Sequence, residues 1–258
     1  MKRIILVATA AAMLIAATVA FAATPINTYK STYSFSPGSS GTAKKPQKTA
    51  FTQKIAVTPG TSGNRAGILL NIKTTIYGLK VNVKGLPTCT IGQITAAGTD
   101  TGCPKTALVA KGSIAAVLGQ SSNFATSAAV GPCNPNLDVW NAGPGKLAFF
   151  FVPAASGTHS CLGGAIKVGQ VPPYPATDKQ SGKDLVVNVP IPATVDYPSQ
   201  GLVGSLGSET LKWKSSAITS VACKGSKRPY STAFTATLPG QASQVTNVPG
   251  SAPCKASK

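Results

Sequence analysis

Apolar residues recur at every second position over most of the chain. Tyr29, Tyr33 and Phe35, then Phe51, Ile55 and Val57, then Ile68, Leu70, Ile72 and Ile76 fall on one face of an extended segment, with Thr, Ser, Lys or Asn opposite. Leu79/Val81/Val83, Leu108/Ala110/Ile114/Ala116, Leu147/Phe149/Phe151, Leu185/Val187/Val189/Ile191 and Phe234/Ala236/Leu238 repeat the pattern. This alternation predicts about ten strands, each with one buried face. Between them lie Pro37-Gly38, Pro59-Gly60, Gly143-Pro144-Gly145, Pro172-Pro173 and Pro239-Gly240, turn punctuation because Gly supplies positive φ and Pro fixes φ. Helical periodicity is nearly absent, so the expected fold is all-β, an antiparallel β-sandwich of jelly-roll type. One short helix is predicted at Thr90–Ala97. There Thr90 and Gln93 have capping-box spacing, which lets hydroxyl and amide satisfy orphan backbone N–H groups reciprocally.

The pattern breaks at the N-terminus. Lys2 and Arg3, the apolar run Ile4 to Val19 and the small-x-small step Ala20-Phe21-Ala22 read as a signal peptide over residues 1–22. Residues 23–258 then form a single β-sandwich domain with a polar C-terminal tail, long enough to bury a core. No second apolar run reaches spanning length, so no membrane span is expected after cleavage and the protein is expected to be secreted.

An oxidising exterior changes the meaning of the six cysteines, Cys89, Cys103, Cys133, Cys161, Cys223 and Cys254. Fifteen pairings exist, and closure between sequence neighbours is cheapest in chain entropy. The expected bridges are therefore Cys89–Cys103 around the short helix, Cys133–Cys161, and Cys223–Cys254 tying down the tail.

Charge adds a bias in partners. The chain carries 24 basic and 6 acidic residues, and its formal charge falls from +18 to +16 when Lys2 and Arg3 leave with the leader. Such an excess favours anionic wall polymer or acidic polysaccharide. Beyond the leader the only arginines are Arg65 and Arg228, and neither a recognition helix nor an aromatic-basic stripe occurs, which argues against sequence-specific nucleic-acid binding. Two stretches read as exposed loops. Ser36–Thr49 concentrates Lys44, Lys45 and Lys48 as a basic fingertip. Pro172–Lys183 carries Tyr174, expected to be exposed and able to stack on a sugar.

Candidate catalytic groups are sparse. His159 is the only histidine, so an imidazole-rich metal site is not expected, nor is any cofactor. A Ser-His-Asp set would have to draw on His159 with Asp138 or Asp178. The stretch Gly201–Gly207 lacks the first glycine of a nucleophile elbow, Val203 standing in its place, and reads as a Gly-rich turn. Gly145-Lys146 is followed by Leu147 where a phosphate-binding loop needs Ser or Thr. Glycosidase chemistry needs two flanking carboxylates, and the pool is Asp100, Asp138, Asp178, Asp184, Asp196 and Glu209, no two within five residues.

Two segments resemble a family of secreted all-β proteins of Gram-positive, actinobacterial type. They are Gly41-Thr-Ala-Lys-Lys-Pro46, like that family's Gly-Thr-Lys-Lys-Pro hairpin, and Leu86-Pro-Thr-Cys89 through Cys103-Pro104 to Gly112. In the second, Ala107 and Ala110 stand where the family has Ser and Gly. The resemblance implies an extracellular β-rich domain with a helix-bearing disulfide loop and carries over no catalytic or binding residue. The expectation is thus a non-enzymatic, envelope-associated binding protein. The alternatives are a carbohydrate-active hydrolase on a jelly-roll scaffold and a structural surface component.

Overall fold

The computed structural model describes residues 24–256, so the leader assigned to residues 1–22 lies outside them. In chain order the strands of the first half are β1 (Asn27–Ser36), β2 (Ser39–Ser40), β3 (Gln47–Lys48), β4 (Ala50–Pro59), β5 (Ile68–Tyr77), β6 (Leu79–Val81), β7 (Leu108–Gln120) and β8 (Ala129–Cys133). The second half adds β9 (Asn136–Gly143), β10 (Lys146–Val152), β11 (Tyr174–Ser181), β12 (Asp184–Pro190), β13 (Leu202–Trp213), β14 (Ile218–Ser220), β15 (Lys227–Thr237), β16 (Gln244–Pro253) and β17 (Lys255–Ala256). Two helices, α1 (Ile91–Ala97) and α2 (Ala193–Asp196), lie in connections.

Twelve strands share one antiparallel sheet, whose path is β1-β4-β13-β7-β9-β10-β11-β12-β5-β15-β16 with β8 branching off β7. The sheet folds over on itself until its edge strands β1 and β16 lie against each other. The result is a β-sandwich close to a barrel. A strand with one apolar face must bury it, and folding a long twisted sheet does so while hiding its edges. Residues that alternate in sequence alternate in burial: in β4, Phe51, Gln53, Ile55 and Val57 point inward while Lys54, Ala56 and Thr58 face solvent. Across the interior Tyr29 stacks on Phe234 with centroids 4.1 Å apart, and Phe51 on Trp213 at 5.4 Å. A polar seam joins the halves as well: Tyr33 Oη lies 3.0 Å from Thr74 Oγ1 and 2.9 Å from Thr232 Oγ1.

Strands β9 and β10 are buried on both faces, and the reason is α1. Thr90 accepts from the Gln93 backbone while Gln93 accepts from the Thr90 N–H, the reciprocal pair that caps the helix, and Gly98 at φ 64° ends it in the left-handed region. Cys89–Cys103 closes the loop around it. Ile94 is thereby pressed onto Trp140, Ala148 and Phe150 on the outer face of the sheet, and Asp100 accepts from Trp140 Nε1 at 3.1 Å. The other two bridges are Cys133–Cys161 and Cys223–Cys254.

Three segments depart from the expectation. Gly201–Gly207 is not a turn: all but its first residue belong to β13. The polar tail is strand β16 followed by β17, which pairs in parallel with β2. Pro172–Lys183 is mostly β11, a hairpin partner of β12 rather than a loop. In β11 and β16 the inner face carries small or polar residues such as Ala176, Asp178, Thr246 and Gly250, in β13 a bulge shifts the phase, and each strand is held by main-chain pairing that sequence periodicity does not see.

Candidate functional site

The strand connections form two ends of the body, and lysine is distributed very unequally between them. At one end the segment expected to be a basic fingertip is laid flat. Thr42 and Lys45 close a tight turn through Thr42 N–Lys45 O at 3.0 Å and Lys45 N–Thr42 Oγ1 at 3.1 Å, leaving Lys44 and Lys45 exposed. Gly41 N then reaches Ser220 O at 3.1 Å and Thr49 N reaches Ile218 O at 3.0 Å, so that β3, β14 and β6 make a three-stranded cap over the core. Its inner side is apolar: Leu79 and Ile218 are fully buried. The chain turns sharply at Gly78, φ +70°, against the Ala222 backbone, which leaves no room for a Cβ.

The cap's outward side is basic. Thr219 is the register partner of both Lys48 and Lys80, so those two ammonium groups flank it on one face. Lys214 opens the turn into β14, Lys224 and Lys227 bridge the turn after it, and Lys255 sits in β17 beside β2. All of them are exposed. Lys44, Lys45 and Lys48 therefore lie at the same end as five further lysines, a set of eight that sequence order scatters over more than 200 residues.

Beneath this cap Arg228 is completely buried. It donates to Ser220 Oγ and to Cys254 Sγ, the latter at 3.3 Å, and its guanidinium lies 4.5 Å from the centroid of Phe35. Burial lowers its pKa to about 10. No carboxylate faces it among the described residues, so the guanidinium anchors the Cys223–Cys254 region through neutral partners and a ring face.

Tyr174 corrects the sequence reading. It is 4% exposed, the first residue of β11, with ring centroids 5.5 Å from Phe149 and 5.7 Å from Phe151. Its pairing with Phe149 in β10 turns the ring into the core, so it is not an exposed platform on a surface loop. Burial pushes its phenol well above the ordinary value, and Glu209 and Asp196 add to the shift.

Those two carboxyls mark the opposite end. Its connections, residues 59–68, 120–136, 152–173, 190–202 and 237–244, hold two basic residues, Lys167 and Arg65. Arg65 is spent on structure: its Nη2 donates to the carbonyls of Gln120 at 2.8 Å and Asn123 at 2.9 Å, and its Nη1 to Ser205 Oγ at 3.1 Å. Here a cavity of about 100 Å³ enters the body between Leu118, Phe151, Ile166 and Leu206. Asp196, at the end of α2, and Glu209, in β13, both line it.

Glu209 gets there by a bulge. On the cavity side, Gly204 and Leu206 pair with Leu118 and Ala116 before an irregularity between Leu206 and Ser208, after which Glu209, Leu211 and Trp213 point inward. The extra residue shifts the two-residue phase of the strand and re-aims Glu209 from solvent to interior. Burial raises both carboxyls to about 7, with the Gln53 hydrogen bond at 3.0 Å opposing the shift at Glu209.

The other candidate groups do not assemble. His159 Nδ1 lies 3.2 Å from the Asn134 carbonyl and shares a shallow hollow with Ser113 and Ser208, and neither Asp138 nor Asp178 lines it. Asp138 instead faces Lys111 at 3.6 Å with its pKa raised by burial. Among the described residues no three His, Cys, Asp or Glu side chains come together as a metal would require. No described helix is long and apolar enough to cross a membrane.

No family model matches this chain, and no curated protein matches it. Among solved structures it is similar to the T6 backbone pilin of serotype M6 Streptococcus pyogenes, described as a modular three-domain structure decorated with variable loops and extensions. The identity is 8% and the TM-score 0.31, over 89% of this chain and 36% of the pilin chain. The chain thus spans about a third of that protein, whose fold and assembly do not carry over at this level of likeness.

Proposed function

We propose that this protein is an exported, non-enzymatic binding module that holds anionic envelope polymer through its lysine-rich end. The observation that carries the reading is the gathering of Lys44, Lys45, Lys48, Lys80, Lys214, Lys224, Lys227 and Lys255 on the cap of one end. Clustered ammonium groups raise the local potential and attract a polyanion without demanding a shaped pocket. Lysine rather than arginine suits a repeating polymer, since a point charge on a flexible stem needs no fixed partner geometry. Three disulfides fit an oxidising compartment, as does the leader read at residues 1–22, and the resemblance to secreted actinobacterial β proteins points the same way.

The hydrolase alternative is less well supported. The two carboxyls that share a cavity, Asp196 and Glu209, are surrounded there mainly by aliphatic side chains, which offer a sugar's hydroxyls few partners. The deciding experiment is retention of the purified protein on cell wall or an acidic polysaccharide at about 50 and 300 mM salt, concentrations that bracket strong and weak screening. The expected result is retention at the low concentration and release at the high one. Retention indifferent to salt, or none at either concentration, overturns the reading.

A further inference from the structure

The cavity at the opposite end is a different kind of place from the basic cap. We propose that it is a binding site for a small primary amine with an apolar body, whose ammonium group is held by the acids that line it, Asp196 and Glu209.

The shape sets the size of the ligand. At about 100 Å³ the cavity is smaller than the ~150 Å³ internal cavity that accepts benzene, so it takes an apolar body of at most about six carbons. Leu118, Ile166, Leu206 and Phe151 supply an apolar wall for it, closed on one side by Cys133–Cys161. The polar groups set its head. Glu209 Oε1 accepts one hydrogen bond from Gln53, and Asp196 accepts none from any described side chain. Among the described residues neither carboxyl forms an ion pair, although two acids face one small apolar space. Burying a carboxylate without a counter-charge is costly. A ligand that brings an ammonium supplies the missing counter-charge. An alcohol supplies one neutral donor, and a carboxylate adds a third like charge.

The titratable or charged groups facing the cavity are Asp196 from α2, Glu209 from β13, Tyr174 from β11 and Lys167 on the rim. Lys167 is exposed and makes no contact of ion-pair length with either acid, and Tyr174 stays neutral because its phenol titrates far above neutrality. The two carboxyls therefore govern the pH response. Both are raised to about 7, so they are ionised above that pH and protonated below it. Amine binding should strengthen as pH rises through 7.

The test is calorimetric titration of the disulfide-bonded protein with hexylamine, hexanol and hexanoate, which share one apolar body and differ in the head. At pH 8 hexylamine should bind at least ~10-fold more tightly than hexanol, about the worth of one charge-assisted hydrogen bond, and hexanoate should be weakest. At pH 5.5 the preference for the amine should shrink by about 10-fold. Glu209→Gln and Asp196→Asn should each weaken the amine by ~10-fold at pH 8 and leave hexanol nearly unchanged. Ala116→Phe, which fills the cavity from β7, should abolish binding of all three. Equal affinity for the three heads overturns the proposal, as do tighter binding of hexanoate, absence of saturable amine binding, or amine binding that survives Ala116→Phe. The head-group and pH series use the unaltered protein, so they decide the matter even where a variant fails to fold.

Discussion

At the end of the body capped by β3, β14 and β6, apolar Leu79 and Ile218 face the core and the lysines face water above the buried Arg228; at the other, apolar side chains line an opening and two acids point inward. The difference teaches how the same strand grammar yields opposite chemistry. An exposed lysine costs little wherever it is placed, so many can gather on one surface, their mutual repulsion relieved by salt and by a polyanion. A buried carboxyl is costly, so Asp196 and Glu209 are held only because Cys133–Cys161, α2 and the β13 bulge fix the surrounding wall.

The largest test of this contrast is to cut each end's bridge separately. Replacing Cys223 and Cys254 by Ala opens a loop of sequence separation 31, and replacing Cys133 and Cys161 one of 28. Each should cost about 3–4 kcal/mol in chemical denaturation on the chain-entropy account. The first should weaken polymer retention and spare amine binding, while the second should do the reverse. If both variants lose the same activity, the ends are not independent.

Next in size is the pH response. Glu209 has its pKa raised from 4.5 to about 7 by burial, so the folded state holds a proton that the unfolded chain releases between those values. The stability this contributes is complete below pH 4.5 and lost as pH rises through 7, worth about 3 kcal/mol for the shift involved. The thermal midpoint should fall from pH 4.5 to pH 8, and Glu209→Gln should flatten much of that slope, with the rest carried by Asp196. A midpoint that rises over this range would contradict the burial of these acids.

Smaller again is Thr90→Ala, which removes the capping box of α1 and should cost about 1 kcal/mol in urea unfolding. Since α1 covers the sheet's outer face rather than either end, both binding activities should persist. Smallest in stability is the pair Lys48→Glu and Lys80→Glu, expected to move unfolding by no more than about 0.5 kcal/mol. On the polymer column their effect should be large, releasing the protein at markedly lower salt. The same reversal at Lys30 and Lys73, on the sides of the sheet, should shift elution less.

How much of this was legible in the sequence differs by element. Phe51/Ile55/Val57 and Ile68/Ile72/Ile76 announced β4 and β5, because a strand with one wet face writes its burial as alternation. Thr90 with Gln93 announced α1 for an equally local reason, a cap made within four residues. Strand β13 is hidden in the sequence because its bulge breaks the phase that alternation would have to keep, and β16 because its inner face carries Gln244, Thr246, Gly250 and Ala252 rather than large apolar side chains. Tyr174 was misplaced since a Pro-rich, polar neighbourhood resembles a loop until β10 is available to pair with it.

The chain itself determined the all-β class, the capped helix in its Cys89–Cys103 loop, and a large positive charge, since each depends on residue type or on neighbours close in sequence. Only the tertiary structure decided that Lys48 and Lys80 flank Thr219, that Asp196 and Glu209 line one cavity, and that Tyr174 is buried. These are facts of register and of sheet closure, and they join residues whose separation along the chain carries no trace of their proximity.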